Sequence, residues 1–223
     1  MVKRLFFVGL FTGLGHLATL FSLKFIARYI EPETIGFIGE IDSLTLLLVS
    51  VIAFGLQLSS TRNIATREDW RQELEITQSA RFTLGLLLSV LAISGLVFTK
   101  NYLFALAPVI ALNSDFALYG RAKPILGAIV ALVRVLIPAL ALIAASLYFP
   151  EDIVLLFSVS LLVTYFVAGL LSSAFLRTPY WVAPKWQNLR LYISNFSIGI
   201  ASFALFFVGL GIINILCFFY INE

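Results

Sequence analysis

The chain has 223 residues, of which 61% are apolar and 12% are charged, and its mean hydropathy is +1.01. Soluble domains carry about 25% charged residues, so this composition excludes an ordinary soluble fold and predicts that most of the chain is solvated by lipid. The formal net charge is +3, and the single cysteine and single histidine exclude an internal disulfide and a cysteine- or histidine-based metal site.

Apolar segments long enough to cross a bilayer follow one another along most of the chain. A transmembrane helix needs about 20 mostly apolar residues. By that measure the predicted spans are 5–30, 37–58, 82–99, 102–120, 125–148, 152–176 and 191–220. We therefore predict an all-α, polytopic transmembrane helical bundle of about seven spans, arranged as a six-helix lobe plus one further span.

The first turn of the predicted bundle lies at Glu31-Pro32-Glu33. Pro32 cannot continue the first helix, because it lacks an N–H group and its ring clashes with the preceding turn. Gly36 is expected to give the backbone the freedom to turn back into the second span. The residues that follow that span, 59–80, form the longest polar segment and are expected to lie along the membrane interface.

Residues 177–190 divide the chain into two unequal parts. The sequence RTPYWVAPKWQNLR has two prolines and three aromatic residues between basic ones, a composition typical of a segment at the membrane interface. We therefore expect a six-span lobe over 1–176, a cytoplasmic aromatic and basic connector over 177–190, and the start of an incomplete second lobe over 191–223.

Lysine and arginine counts predict the orientation of the chain. With a cytoplasmic N-terminus, eleven basic residues fall on the cytoplasmic side of the predicted spans and three fall on the opposite side. The positive-inside rule favours this direction. We expect a multi-pass protein of the cell inner membrane with its N-terminus in the cytoplasm.

Three stretches resemble the polysaccharide (O-antigen-type) flippases of the MOP transporter superfamily. The sequence over 27–37, ARYIEPETIGF, is similar to the family's corner after the first span. Phe54-Gly55-Leu56 followed by TRNIA at 61–65 is similar to its entry into the first cytoplasmic loop. A weaker similarity is YGRAK at 119–123, which precedes the fifth predicted span.

This resemblance implies a function without covalent chemistry. Family members have two six-span lobes around a central, often cationic cavity, and they export polysaccharide by moving lipid-linked oligosaccharide across the membrane by alternating access. The chain supplies only the first lobe and one more span, so we expect a truncated reading frame or a fragment. A second lobe or a homodimer would complete the cavity.

Arg134 is the most informative charged residue, because it lies well inside the fifth predicted span. A charged side chain at the bilayer centre costs about 2.5–3.5 kcal/mol on insertion scales, so it should face protein or a wet cavity. Helical side chains lean toward the N-terminal end of their helix, which brings Arg134 to the level of Asp115 in the fourth span. Two interpretations stay open: a buried pair that locks two helices, or a cavity residue that binds a phosphate or an acidic sugar.

Lys24 and Arg28 are the other candidate substrate-binding residues. Their spacing of four places them on one face near the outer end of the first span. They are either interfacial anchors and ion-pair partners, or a cationic rim for pyrophosphate or acidic glycan.

An enzyme is not expected, since the sequence contains no GxSxG, HExxH, P-loop or GxGxxG motif. We predict no catalytic residues, no metal ligands, no cofactor and no nucleic-acid partner. The expected partners are the lipid bilayer and a lipid-linked glycan. The alternative to a flippase is a non-transporting membrane scaffold or accessory subunit of an envelope-glycan assembly system.

Overall fold

The structure, a computed structural model, describes residues 2–99, 103–205 and 208, and all regular structure in these ranges is helical. Short 3₁₀ turns occur at Leu103–Leu106, Pro150–Asp152 and Trp186–Leu189. The α-helices are α1 Val2–Ile26, α2 Pro32–Ala53, α3 Leu56–Thr66, α4 Trp70–Thr99, α5 Ala107–Ala111, α6 Asp115–Gly120, α7 Pro124–Tyr148, α8 Ile153–Leu176, α9 Arg190–Ser194 and α10 Phe196–Leu205.

Four helical segments in the described ranges are long and apolar enough to cross a membrane. They are Leu5–Ile26, Pro32–Ala53, Pro124–Tyr148 and Pro150–Leu176. By length and composition these are the helices of a membrane protein, which supports the all-α prediction. The number seven is not supported, because the described residues contain four such helices.

The predicted fourth span, 102–120, is not one helix. The described part of it consists of a 3₁₀ turn, then α5, and then α6, with non-helical backbone around Asn113 and Ser114. The apolar composition of this stretch predicted a span, but Asn and Ser side chains compete with the helix for backbone hydrogen bonds. The break places polar residues inside an otherwise apolar run.

The predicted third and seventh spans are only partly described. The third, 82–99, is the second half of α4, a helix that already begins at Trp70, and the surroundings of side chains 92–99 lie outside the described residues. Of the seventh, 191–220, the structure describes α9, α10 and residue 208, and the remainder lies outside the described residues. The polar segment 59–80 is not a loop, because α3 and the first turns of α4 occupy most of it.

The turn at Pro32 was predicted correctly, but the role of Gly36 was wrong. Residues 27–30 form the turn, and α2 begins at Pro32, which is suited to a first helical position because its missing N–H would have no partner there. Gly36 lies inside α2. The special backbone occurs instead at the other end of this helix, where Phe54 has φ 21° and Gly55 has φ 76°.

Two apolar clusters hold the helices together. The first joins α2, α5, α7 and α8 through side chains such as Ile41, Ile110, Leu142 and Phe157. The second joins α3, α4, α6, α7 and α8 and includes the fully buried Phe116. α1 packs mainly on α7, and α7 packs on α8. The break in the predicted fourth span lies between the two clusters, because Leu112 belongs to the first and Phe116 to the second.

Residues 177–190, the predicted connector, fold back onto α4. Ser79 Oγ donates to the Ala183 carbonyl at 2.8 Å, and the Lys185 backbone N–H donates to Thr83 Oγ1 at 3.1 Å. The Trp181 ring packs edge-on against the Phe82 ring, with 4.6 Å between the two ring centroids. These contacts fix the connector against the side of α4.

Candidate functional site: an ionic cluster at a broken helix

The break between α5 and α6 is closed by side chains from α4. Gln78 Nε2 donates to the Leu112 carbonyl at 3.4 Å, and Arg81 Nη1 donates to the Asn113 carbonyl at 2.7 Å. A broken helix leaves carbonyls without intrahelical partners, and at membrane depth water does not supply them. Because α4 provides both donors, the break is stabilised by side chains of a neighbouring helix.

The Asn113 side chain fixes the start of α6. Its Oδ1 accepts from the Asp115 backbone N–H at 3.3 Å and from Ser172 Oγ of α8 at 3.2 Å. The first of these bonds is a local turn of the kind that Asn forms in preference to helix. The second bond ties the break to α8 and so sets the direction in which Asp115 points.

Asp115 and Arg134 form an ion pair in the structure. Arg134 Nη2 of α7 lies 2.8 Å from Asp115 Oδ2 of α6, the length of a charge-assisted hydrogen bond. The Asp115 side chain is 8% exposed, whereas 27% of the Arg134 side-chain surface is exposed. The carboxylate is therefore enclosed by protein, and part of the arginine remains accessible.

Arg81 is a second arginine in the same cluster. It is 4% exposed, its guanidinium lies 5.2 Å from the centroid of the Phe116 ring, and its Nε is buried with no hydrogen-bond partner among the described residues. The sequence suggested an ordinary basic residue at the end of a span, and the structure corrects this. The formal charges of Arg81, Arg134 and Asp115 sum to one positive charge, and Arg81 lies within electrostatic range of Tyr192, Asp115 and Arg134.

Two tyrosines complete the surroundings of Arg134. Tyr119 of α6 and Tyr165 of α8 both lie within electrostatic range of its guanidinium. Side chains from α4, α6, α7 and α8 thus converge on one place. Such a convergence of charged and polar groups is chemically suited to hold an anion.

The structure does not bring Lys24 and Arg28 to this cluster. Gly15 of α1 faces Leu132 and Val135, so it lies at the level of Arg134. Lys24 comes nine residues later, which is about 14 Å along the helix. Both Lys24 and Arg28 are exposed, and no ion pair of either residue occurs in the described ranges.

Most basic residues outside the cluster gather at one end of the bundle, here called the cation-rich end. The segments that form it are tied together: the Arg121 guanidinium lies 4.8 Å from the Trp70 ring centroid, and Lys123 Nζ donates to the Phe175 carbonyl at 3.1 Å. The residues of the cation-rich end are Arg62, Arg67, Arg71, Arg121, Lys123, Arg177, Lys185 and Arg190.

No family model, no curated protein and no solved structure matches this chain. In the parts of the chain that the structure describes, no group of three histidine, cysteine or acidic residues is placed to hold a metal ion.

Three members of the cluster were missed by sequence reasoning: Gln78, Arg81 and Ser172. Asn113-Ser114-Asp115 is a helix-start signal, because Asn, Ser and Asp favour the position before the first helical turn. Read as such, it would have divided the predicted fourth span. Nothing in the sequence places α4 beside that break, so the contacts of Gln78 and Arg81 depend on tertiary structure.

Proposed function

We propose that the chain forms a membrane-embedded lobe of a flippase that exports polysaccharide by moving lipid-linked oligosaccharide across the inner membrane. The observation that carries the proposal is the buried cluster with excess positive charge at the break between α5 and α6. Non-helical backbone at membrane depth is tolerated where it is buried in protein or lines a wet cavity. In transporters, discontinuous helices of this kind build substrate and ion sites.

The charges of the cluster suit the phosphate of a lipid carrier. Arginine offers a planar fork of donors that matches phosphate oxygens. Asp115 holds the Arg134 fork in place, while the exposed part of that side chain is free to meet a ligand. The second positive charge, on Arg81, offsets the carboxylate, so an incoming anion meets net attraction.

Alternating access would follow from the way the helices are packed. α1 packs mainly on α7, and α7 carries Arg134, so a tilt of these two helices moves one wall of the cluster relative to α4 and α6. No bond is made or broken in this mechanism. The headgroup passes between helices while the lipid tail stays in the bilayer, and a second lobe or a second copy of the chain closes the cavity.

The orientation in this proposal places the cation-rich end in the cytoplasm, following the positive-inside rule. The second half of α4 and the broken segment 103–120 then lie within the bilayer beside the four candidate spans. In this arrangement the ionic cluster lies in the cytoplasmic half of the membrane, because Asp115 is about 8 Å from the end of α6.

Complementation of a strain that lacks its own flippase tests the proposal, with surface glycan as the readout. We expect the full chain to restore export, Arg134→Ala to reduce it at least tenfold, and Arg134→Lys to retain part of it because the charge is kept. Arg67→Ala is the matched control, since Arg67 is an exposed arginine paired with Glu73 at 2.9 Å.

Two outcomes would contradict the proposal. A well-expressed, membrane-inserted chain that restores no export, either alone or co-expressed with a second flippase lobe, would favour the non-transporting scaffold of an envelope-glycan system. Full export by Arg134→Ala would leave the ion pair with Asp115 as a link between two helices.

A further inference from the structure

A second polar site lies at the cation-rich end, between the first turns of α4 and the connector. It is an open cavity of about 470 Å³. Arg71, Glu75 and Gln78 of α4 line one wall, and Arg177, Thr178 and Trp181 line the other. Arg81, Asp115 and Arg134 do not line this cavity, and Gln78, which donates to the Leu112 carbonyl at the break, is the residue that the cavity shares with the ionic cluster.

The walls of this cavity are held in place without a ligand. The bonds from Ser79 to Ala183 and from the Lys185 N–H to Thr83 pin the connector to α4 on one side. On the other side Thr178 N–H donates to the Ser173 carbonyl at 3.0 Å, next to Arg177, which adopts the left-handed conformation with φ 57°. A preformed cavity binds more tightly than one that must be ordered on binding.

The charge in the cavity is positive. Arg71 and Arg177 are exposed, and no ion pair of either occurs in the part of the chain that the structure describes. The one carboxylate on the wall, Glu75, lies 3.8 Å from Lys185 Nζ and is balanced by it. The Arg71 guanidinium lies 5.4 Å from the centroid of the Trp70 ring, a contact that leaves its positive charge uncompensated. An anion entering the cavity therefore meets two guanidinium groups that have no carboxylate partner among the described residues.

We propose that this cavity binds a phosphate group, as carried by an anionic phospholipid headgroup or by a free phosphate. Arg71 and Arg177 supply the forked donors that match phosphate oxygens. Trp181 is 61% exposed beside the cavity, and tryptophan is enriched at headgroup level in membranes. The proposal does not depend on transport, since Arg71, Arg177 and Trp181 are not members of the ionic cluster.

Thermal unfolding of the full chain in a neutral detergent tests the proposal. The probes are short-chain phosphatidylglycerol, short-chain phosphatidylcholine and inorganic phosphate. We expect phosphatidylglycerol to raise the Tm, and we expect the doubly substituted R71Q/R177Q variant to need at least tenfold more of it for the same shift. The R71K/R177K variant should bind phosphatidylglycerol more tightly than R71Q/R177Q, because it keeps both positive charges.

Arg67→Gln is the matched control, because it removes an exposed arginine of the cation-rich end that does not line the cavity. It should respond to phosphatidylglycerol as the parent does. A shift of the same size with inorganic phosphate alone would support the phosphate site and identify a soluble anion as its ligand. Shifts with phosphatidylglycerol or phosphatidylcholine that are undiminished in R71Q/R177Q would overturn the proposal.

Discussion

Two of the breaks in helical backbone within the described residues, at Phe54–Gly55 and at Asn113–Ser114, are closed in different ways. At Phe54–Gly55, between α2 and α3, the Ile52 carbonyl accepts from Tyr192 Oη at 2.6 Å. The Phe54 ring lies about 6 Å from the rings of Phe196 and Phe203. At Asn113–Ser114 the freed carbonyls are met by Arg81 and Gln78, with a second arginine and a carboxylate alongside.

The comparison concerns whether the carbonyls freed by a helix break need charged side chains as partners. A neutral hydroxyl and aromatic packing are enough to close the first break, so closure alone needs no charge. Burying charged groups costs several kcal/mol per ion even when they are paired. The charged side chains at the second break are therefore not needed merely to satisfy its backbone carbonyls. For this reason the proposed substrate site lies at the second break, and we propose a structural role for the first.

The largest effect on folding is expected from Arg81→Ala. The substitution leaves the Asn113 carbonyl buried without a donor and removes the packing on Phe116, so it should destabilise the protein by about 3 kcal/mol. Thermal unfolding in detergent measures this. Arg67→Ala should change stability by less than about 1 kcal/mol, because its pair with Glu73 is exposed. Equal effects of the two changes would mean that the charge at the second break is not needed.

A smaller effect is expected from Gly55→Ala at the first break. Gly55 has φ 76°, and an added Cβ would lie 2.6 Å from the Gly199 backbone nitrogen, so the change should destabilise by about 2 kcal/mol. Gly36→Ala is the control, since nothing lies within 4 Å of its added Cβ and alanine favours the helix. A Gly55→Ala protein as stable as the parent would show that α10 does not pack tightly against this break.

Tyr192→Phe tests the hydrogen bond from the Tyr192 hydroxyl that closes the first break. It removes one hydrogen bond to the Ile52 carbonyl and keeps the ring, so we expect a loss of about 1 kcal/mol in the free energy of unfolding. Glycan export should be unchanged when the protein is expressed at the parental level. Loss of export with a normal Tm would mean that the first break also takes part in transport, so the two breaks would not differ in function.

The smallest effect is expected at Lys24 and Arg28. Both are exposed and distant from the ionic cluster, and exposed ion pairs contribute about 0.2–1 kcal/mol. If they form a rim that attracts the anionic glycan, the double alanine variant should lose export about twofold to fivefold with no change in Tm. Export at the parental level would leave them as interfacial anchors.

The four candidate spans could be predicted from sequence because each is a continuous apolar run, and three of them begin at a proline, Pro32, Pro124 or Pro150. The break at Asn113–Ser114 was missed because two residues do not lower the mean hydropathy of a 19-residue segment enough to interrupt it. Arg81 was counted among the eleven basic residues on the cytoplasmic side, because it directly precedes the predicted span 82–99. Only the packing of α4 against α5 and α6, which no local pattern encodes, shows that it is buried.

The proximity of Asp115 and Arg134, in contrast, could be predicted from the sequence. The rise per residue of a helix and the lean of its side chains put the two at the same depth. Whether the pair serves packing or a ligand is a question of function. The double variant Asp115→Asn/Arg134→Met answers it by removing both charges while keeping the volumes close to those of the parent. Replacing a buried ion pair by neutral groups of similar size is often close to neutral for stability.

Glycan export by this double variant, measured beside its Tm, tests the central claim most directly. The account predicts a Tm close to the parent's, since the buried charge that remains, on Arg81, keeps its hydrogen bond to the Asn113 carbonyl. It also predicts at least a tenfold loss of export, because the anion has lost the partly exposed arginine. Export at the parental level from a stable double variant would contradict the account and leave the ionic cluster as a structural link between α6 and α7.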